Sequence, residues 1–426
     1  MTLDADGPAV RARSRTFWDL SAEDPPFDGT FDEAVEALLP ILREATKIRL
    51  RADVPLGIFL SGGIDSSLVT AMAMQEDTTL HTYSVRFDDA VSDESAHAAR
   101  IAQYLGAPHH IIDAPTATVD LLPQLVSQFG EPFADSSALP TSVLAEHARR
   151  HVTVALGGDG GDEGFGGYSW YGTFHRVREL QRLVPAPAAR AAARILAPGT
   201  PTGPLARQRG RAARGLRALE APDDARRYAA LRALFSDHEA RTLLTGDLLA
   251  RHDAAGRDPG RMRALFEGTD GSALRRMRWV DVRSYLADCL NPKLDVATMG
   301  AGLEARAPLL DQEVLRFAFT LPDEYLKDAT GGKRLLRAAL RRHIPPSLFE
   351  RPKQGFTPPL HRWLREGLRT RLEALPSSEA LRSLGVLREG GIRRLVDEHL
   401  SHYRDHADRL FALLVLEEWL TTLHAG

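Results

Sequence analysis

Between Phe31 and Gly158 the chain switches repeatedly between two hydrophobic rhythms. Ala34, Leu38, Leu39, Ile41, Leu42, Ala45 and Ile48 fall at helical spacing, which predicts a helix over Phe31–Leu50. Pro40 inside it predicts a kink or a break into two shorter helices. A continuous apolar run follows, Leu56-Gly57-Ile58-Phe59-Leu60, and stops at Ser61-Gly62-Gly63. A run of that length bounded by turn residues reads as a buried strand. Apolar residues resume from Leu68 to Met74 as a helix. Leu80–Val85 reads as a second strand, and Asp93–Leu105 as a helix with an acidic first turn and Gly106 at its C-cap. His109–Ala114 reads as a third strand, Thr118–Phe129 and Thr141–Arg150 as helices, and His151–Leu156 as a fourth strand entering a second glycine cluster. This alternation predicts an α/β fold with a doubly wound, mostly parallel sheet. Ligands on such sheets bind at the carboxyl ends of the strands, where both glycine clusters fall.

From about Trp170 the alternation stops. Ala-, Arg- and Leu-rich helical segments run to the end, interrupted by a Pro/Gly loop at Ala197–Pro204 and by Gly268–Gly271, and no strand is predicted among them. Leu410–Leu423 is too short and too acidic to cross a bilayer and reads as a buried terminal helix. Residues 1–30, with Pro25-Pro26 and Asp28-Gly29 as turn signals, read as a poorly structured lead-in. The expected division is a lead-in over 1–30, an α/β core over 31–170 and a large C-terminal helical part over 171–426.

Composition narrows the setting. The 426 residues, 43% hydrophobic and 26% charged, describe a soluble globular chain with room for two or three domains. No apolar run approaches membrane-spanning length and the amino terminus lacks a signal-peptide core, so the expected address is the cytoplasm, with no membrane partner. A single cysteine, Cys289, excludes an internal disulfide framework and a cysteine-cluster metal site. The net charge of −3 gives no reason to expect nucleic acid, and the basic run Arg207, Arg209, Arg211, Arg214 and Arg217 reads as a solvated helix face. Of 54 cationic residues only Lys47, Lys293, Lys327, Lys333 and Lys353 are lysines, so a lysine inside a motif stands out. His109 and His110 are adjacent on a strand and point to opposite faces, which suits packing better than ligation.

Candidate chemistry lies at the two clusters. In VPLGIFLSGGIDSS (Val54–Ser67) a strand, a glycine turn and a helix N-terminus make an anion site, with amides and a helix dipole turned toward an oxyanion. Ser61 and Ser66 can donate to phosphate oxygens and Asp65 can hold magnesium. No Gly-Lys-Ser/Thr closes the loop, so it is not the common P-loop. A plain βα turn with a Ser/Asp cap is the alternative. LGGDGGDEGFGGY (Leu156–Tyr168) carries seven glycines in 13 residues, threaded with Asp159, Asp162 and Glu163. Acids beside a phosphate site make sense when a divalent cation bridges them.

SGGIDSS at Ser61–Ser67 resembles the pyrophosphate loop of ATP pyrophosphatases. With EPFADSSALPT (Glu131–Thr141), GGDGGDEGFGGY, LEARAPLLD (Leu303–Asp311) and RPKQGF (Arg351–Phe356), the set resembles the synthetase domain of the asparagine synthetase family, in the family's order and over roughly residues 30–425. The resemblance implies an adenine-nucleotide α-hydrolase-like fold using ATP and Mg²⁺. Ser61, Gly62, Gly63, Asp65 and Ser66 would cradle pyrophosphate, and Asp65 and Asp162 would hold the metal. Leu60, Val85 and Gly158 would pack the AMP moiety. Lys353 would support the charged transition state, and Glu304 would be an acid close to the acyl group. Related β-lactam synthetases pair that acid with a tyrosine, whose position is held here by Asp159, as asparagine synthetases have it. Glu304 and Arg306 forming a structural ion pair is the plainer alternative.

Three departures stand out. The family's glutaminase domain starts with a cysteine after Met removal, whereas residue 2 is Thr2. TFWDL (Thr16–Leu20) resembles the linker that follows that domain, which suggests a stand-alone synthetase. Gly157 replaces a serine, and in NPKLD (Asn291–Asp295) Val296 follows where an arginine is usual. The expected reaction is adenylation of a small-molecule carboxylate, then acyl transfer to an amine or ammonia, in specialised biosynthesis similar to β-lactam synthetases or lasso-peptide cyclases. A separate amidotransferase or a carrier protein is a possible partner. Asparagine formation is the alternative within the class. A non-catalytic binding protein is the alternative outside it, and intact Asp65, Asp162, Glu304 and Lys353 weigh against that.

Overall fold

The computed structural model describes residues 2–4, 11–13, 15–16, 18–20, 24–183, 215–254, 260–328, 331–351 and 355–425. The lead-in is not wholly irregular: β1 (Thr2–Asp4) and β2 (Arg11–Arg13) form a short antiparallel ladder. Three-residue strands are too short to leave an alternating pattern in the sequence. Helix α1 (Phe31–Arg49) opens on a capping box, in which the Thr30 hydroxyl accepts from the Glu33 amide and the Glu33 carboxylate accepts from the Thr30 amide. It passes through Pro40 without the predicted break. The amide that proline lacks would have bonded the Glu36 carbonyl, and both residues are exposed, so water can serve that carbonyl.

Five parallel strands make the central sheet: β3 (Leu56–Phe59), β4 (His81–Phe87), β5 (His109–Ala114), β6 (Val154–Leu156) and β7 (Glu304–Arg306). Their order is β5-β4-β3-β6-β7. The chain winds outward from β3 on one side, then returns to place β6 on the other, so the switch point lies between β3 and β6. The crossovers carry α2 (Ile64–Glu76), α3 (Ser95–Leu105, closed by left-handed Gly106), α4 (Leu122–Phe129) and α5 (Ala138–Ala148). The turn of 3₁₀ helix at Thr116–Leu121 replaces the start expected of the α4 helix.

β7 corrects the reading of the later chain as strand-free. Its three residues, Glu-Ala-Arg, show no apolar alternation because they form a half-exposed edge. The sheet recruits them through the register Val154↔Glu304, Ala155↔Ala305 and Leu156↔Arg306. Two apolar clusters bury the faces. Ile58, Leu60 and Leu156 pack with α1, α2 and Leu335–Leu340, while Tyr83, Val85, Phe87 and Ile112 pack with α5, Trp363 and the terminal helix Ala407–Ala425. Each fully buried large side chain contributes about 1.5–3 kcal/mol. The Ala197–Pro204 loop and Arg207, Arg209, Arg211 and Arg214 lie outside the described residues.

Candidate active site

The first glycine turn joins β3 to α2 at the switch point. Gly62 takes φ = +76°, and a Cβ there would stand 2.8 Å from the Ala98 amide nitrogen, because the start of α3 abuts the turn. The Ser61 amide donates to Ser66 Oγ at 3.2 Å, the two serine oxygens lie 3.1 Å apart, and the Gly63 amide donates to Ser61 Oγ at 3.3 Å. The hydroxyls thus curl over the turn. Gly63 is the N-cap of α2 and no side chain caps the helix, which leaves its first-turn amides and positive dipole end for an anion. The plain-cap alternative is therefore absent: neither serine caps the helix. Leu60 and Val85 are buried at the same ends of β3 and β4, and the Leu60 amide donates to the Tyr83 carbonyl at 2.9 Å.

The second cluster leaves β6 and lies directly on the first. A Cβ on Gly158 would stand 2.5 Å from the Ser66 amide nitrogen, and one on Gly161 would collide with the Asp65 carboxylate. Only a glycine backbone fits that close to α2. A Cβ on Gly157 would meet Asp159 Oδ2 at 2.8 Å, so a serine there would require the Asp159 carboxylate to shift. From Gly161 to Phe165 runs the short helix α6, with left-handed glycines at both ends, Gly160 (φ +97°) and Gly166 (φ +70°). Buried Arg278 donates to the carbonyls of Glu163 at 3.2 Å, Gly164, and Ala318 at 2.8 Å, fixing α6 from behind.

The two clusters meet on one cation. Lys333 Nζ lies 2.9 Å from Asp162 Oδ1 and also bonds Asp65 Oδ2. Burial works to lower the Lys333 pKa, but Asp162 and Asp65 outweigh it and push it up. Glu163, next to Asp162, faces inward and takes a hydrogen bond from the Tyr168 hydroxyl. Burial, with Asp162 beside it, pushes its carboxyl well above the usual carboxylate range. Beyond α6, in α7 (Ser169–Gln181), Trp170 stacks on Tyr168 with centroids 3.8 Å apart, and the Arg232 guanidinium covers Trp170 and Tyr285 at 4.0 and 4.1 Å.

Ser61, Gly62, Gly63, Asp65, Ser66, Gly158 and Asp162 thus come together, with Leu60 and Val85 on the adjoining strand ends and Asp159 folded over Gly157. Glu304 bonds Arg306 rather than any of these residues. It pairs in register with Val154, at the amino end of β7, while the glycine clusters leave the carboxyl ends. Its side chain is 54% exposed and holds Arg306 at 2.7 Å, which donates in turn to the carbonyls of Arg49 and Arg51. Lys353 lies outside the described residues. Its neighbours in the motif bear on the site: Arg351 reaches Glu94 at 2.6 Å and the Gly62 carbonyl at 3.4 Å, and Phe356 packs on Phe87. Burial pushes the Glu94 carboxyl up to about 7, with Arg351 opposing. Cys289 donates weakly to Asp135 at 3.7 Å. Burial and that acid push its thiol up to about 12, so it is no nucleophile at neutral pH. His109 bonds Thr82 and Ser84, and His110 stacks on Tyr83, both in structural roles.

The sequence profile described as "Asparagine synthase" matches residues 37–421. The chain belongs to the asparagine synthase family. A Mycobacterium bovis protein provisionally named a glutamine-hydrolyzing asparagine synthetase is 32% identical over 401 residues, covering 92% of this chain and 59% of that protein. The glutamine-hydrolyzing asparagine synthetase 1 of Bacillus subtilis is 28% identical over 399 residues, covering 91% and 59%. The chain thus spans about three-fifths of the length of these curated family relatives. Among solved structures, an NMN synthetase from Francisella tularensis covers 61% of this chain and 96% of its own at 16% identity, with a TM-score of 0.25, too loose a likeness to carry weight. Two site residues of this asparagine synthase family member escape a reading by motif. Arg351 stands one residue from Pro352 in a motif read for its lysine. Lys333 stands outside every motif, its one signal being the scarcity of lysine.

Proposed function

We propose that the chain is an ATP-dependent amide-bond-forming synthetase. A substrate carboxylate attacks the α-phosphorus of ATP and pyrophosphate departs. An amine or ammonia then displaces AMP from the acyl-adenylate. One observation carries the reading: acids from two separate glycine clusters, Asp65 and Asp162, converge on one positive charge at the uncapped start of α2. This donor set fits Mg²⁺. Two carboxylate oxygens face one point, and among the described residues no cluster of three acids, histidines or cysteines forms a self-sufficient metal cage. The remaining positions suit phosphate oxygens and water, as Mg²⁺ prefers. When bound, the ion offsets the charge that builds on the phosphates.

The chain's own groups do the positioning. Ser61, Gly62, Gly63 and Ser66 orient the pyrophosphate, and Leu60, Val85 and Gly158 pack the AMP moiety. Asp159, an acid within the second cluster, stands where related β-lactam synthetases carry a tyrosine, and Lys353 supports the transition-state charge. Glu304 is better read as a strand anchor for Arg306 than as an acid of the reaction. Val296, where the family pattern differs, favours a specialised carboxylate and amine. The names of the relatives favour asparagine formation instead, so both readings stand. ATP–pyrophosphate exchange against a panel of carboxylates separates them. Exchange with a specialised acid supports the first, and exchange only with aspartate, with asparagine made from ammonia, replaces it with the second. A folded protein that binds no ATP–Mg²⁺ and catalyses no exchange would be a non-catalytic relative.

A further inference from the structure

Lys333 occupies the centre of the site at some cost. It is one of two non-glycine residues with positive φ among the described residues, at +58°, a backbone state that lysine rarely adopts. Its amide donates to the Phe165 carbonyl at 3.1 Å, which ties the turn to α6, and the side chain is 6% exposed. Two glycines clear its path. A Cβ on Gly167 would collide with Asp162 Oδ1 and the Lys333 stem, and one on Gly332 would collide with the Gly166 carbonyl. Backbone, stem and head are therefore all fixed, and the head ends between the two acids proposed to hold magnesium.

We propose that Lys333 is a place-holding cation, which balances Asp65 and Asp162 while no phosphate is bound and makes divalent-metal binding depend on a polyphosphate. The inference rests on the synthetase reading above. Two carboxylates and one ammonium leave a net charge of −1 at this point. A divalent ion arriving alone must compete with an ammonium that the backbone holds in place. A metal arriving with pyrophosphate brings enough negative charge for both cations to share the acids. Magnesium then enters and leaves with the nucleotide, and the empty site does not trap it.

The test uses Mn²⁺ followed by water-proton relaxation, which separates protein-held ion from ion free or on pyrophosphate in solution. Wild-type protein is expected to hold Mn²⁺ weakly alone and roughly tenfold or more tightly with inorganic pyrophosphate. Lys333→Met keeps the stem and removes the charge, and should hold Mn²⁺ without pyrophosphate roughly tenfold or more tightly than wild type. Adding Asp162→Asn to that variant should abolish the gain. A purely structural lysine would lower the melting temperature of Lys333→Met without altering its Mn²⁺ affinity, which would overturn the proposal. So would wild-type protein that holds Mn²⁺ equally with and without pyrophosphate, a comparison that decides the matter where the variant fails to fold. No protein-held Mn²⁺ in either state removes the metal and the proposal together. Carboxylate-dependent ATP–pyrophosphate exchange tests the synthetase reading separately.

Discussion

Asp65 and Asp162 have little room to turn away from each other. Gly161 and Gly167 lie close against their carboxylates, and Lys333 bonds both. Asp162→Asn keeps the shape and removes one charge, so ATP–pyrophosphate exchange should fall roughly a hundredfold or more, in line with the several kcal/mol a metal's charge supplies. Raising Mg²⁺ should recover part of the loss. Glu304→Gln is the contrasting case. An exposed ion pair is worth about 0–1 kcal/mol, so exchange should stay within about threefold and the melting temperature should barely move. A hundredfold loss there would restore Glu304 as an acid of the reaction. Lys353→Ala should abolish adenylation with an unchanged far-UV circular dichroism spectrum, and retained turnover would remove its assigned role. The acids were legible from sequence because each follows a glycine turn after an apolar strand. Lys333 was not, because what defines it is a left-handed backbone and a partner 268 positions away, and neither leaves a local pattern.

At the scale of elements, what could be read depended on burial. β5 spans His109–Ala114 as read from the sequence, and the capping box of α1 follows from Thr30 and Glu33. Pro40 misled because its effect depends on which face it occupies: on the solvent side of α1 the lost bond costs little. Elements also depend on contacts made far away. The helix Asp237–Leu243 starts with a second capping box, and its Glu239 holds Arg404, just before the terminal helix, and Arg409, in that helix's first turn. Burial opposes ionisation of Glu239, but Arg409, the Ser236 hydroxyl and amide, and Arg404 outweigh it and hold the carboxyl down to about 2. A depressed pKa contributes stability above the unfolded value near 4.5, and that stability is lost as pH falls toward about 2. Wild-type melting temperature should therefore fall between those values. Glu239→Gln should be less stable at neutral pH by roughly 3 kcal/mol and should show a flatter acid limb.

For the whole molecule, the sheet draws its last strand from the helical part of the chain. β7 covers the outer edge of β6, and the Gly157 amide that opens the second cluster donates to the Arg306 carbonyl at 2.8 Å. A fragment of residues 31–170 would leave that edge and that turn unsupported. It should elute as aggregate in size-exclusion chromatography where the full chain does not.

The same arrangement sets a timetable. Leu156 and Glu304 are 148 positions apart. At the pace of a ribosome, roughly 5–20 residues per second, β6 emerges roughly seven to thirty seconds before its neighbour. Throughout that interval a nascent chain carries a nearly complete sheet with one raw border. In the cell, the interval before β7 arrives is when a chaperone has most to do for this protein.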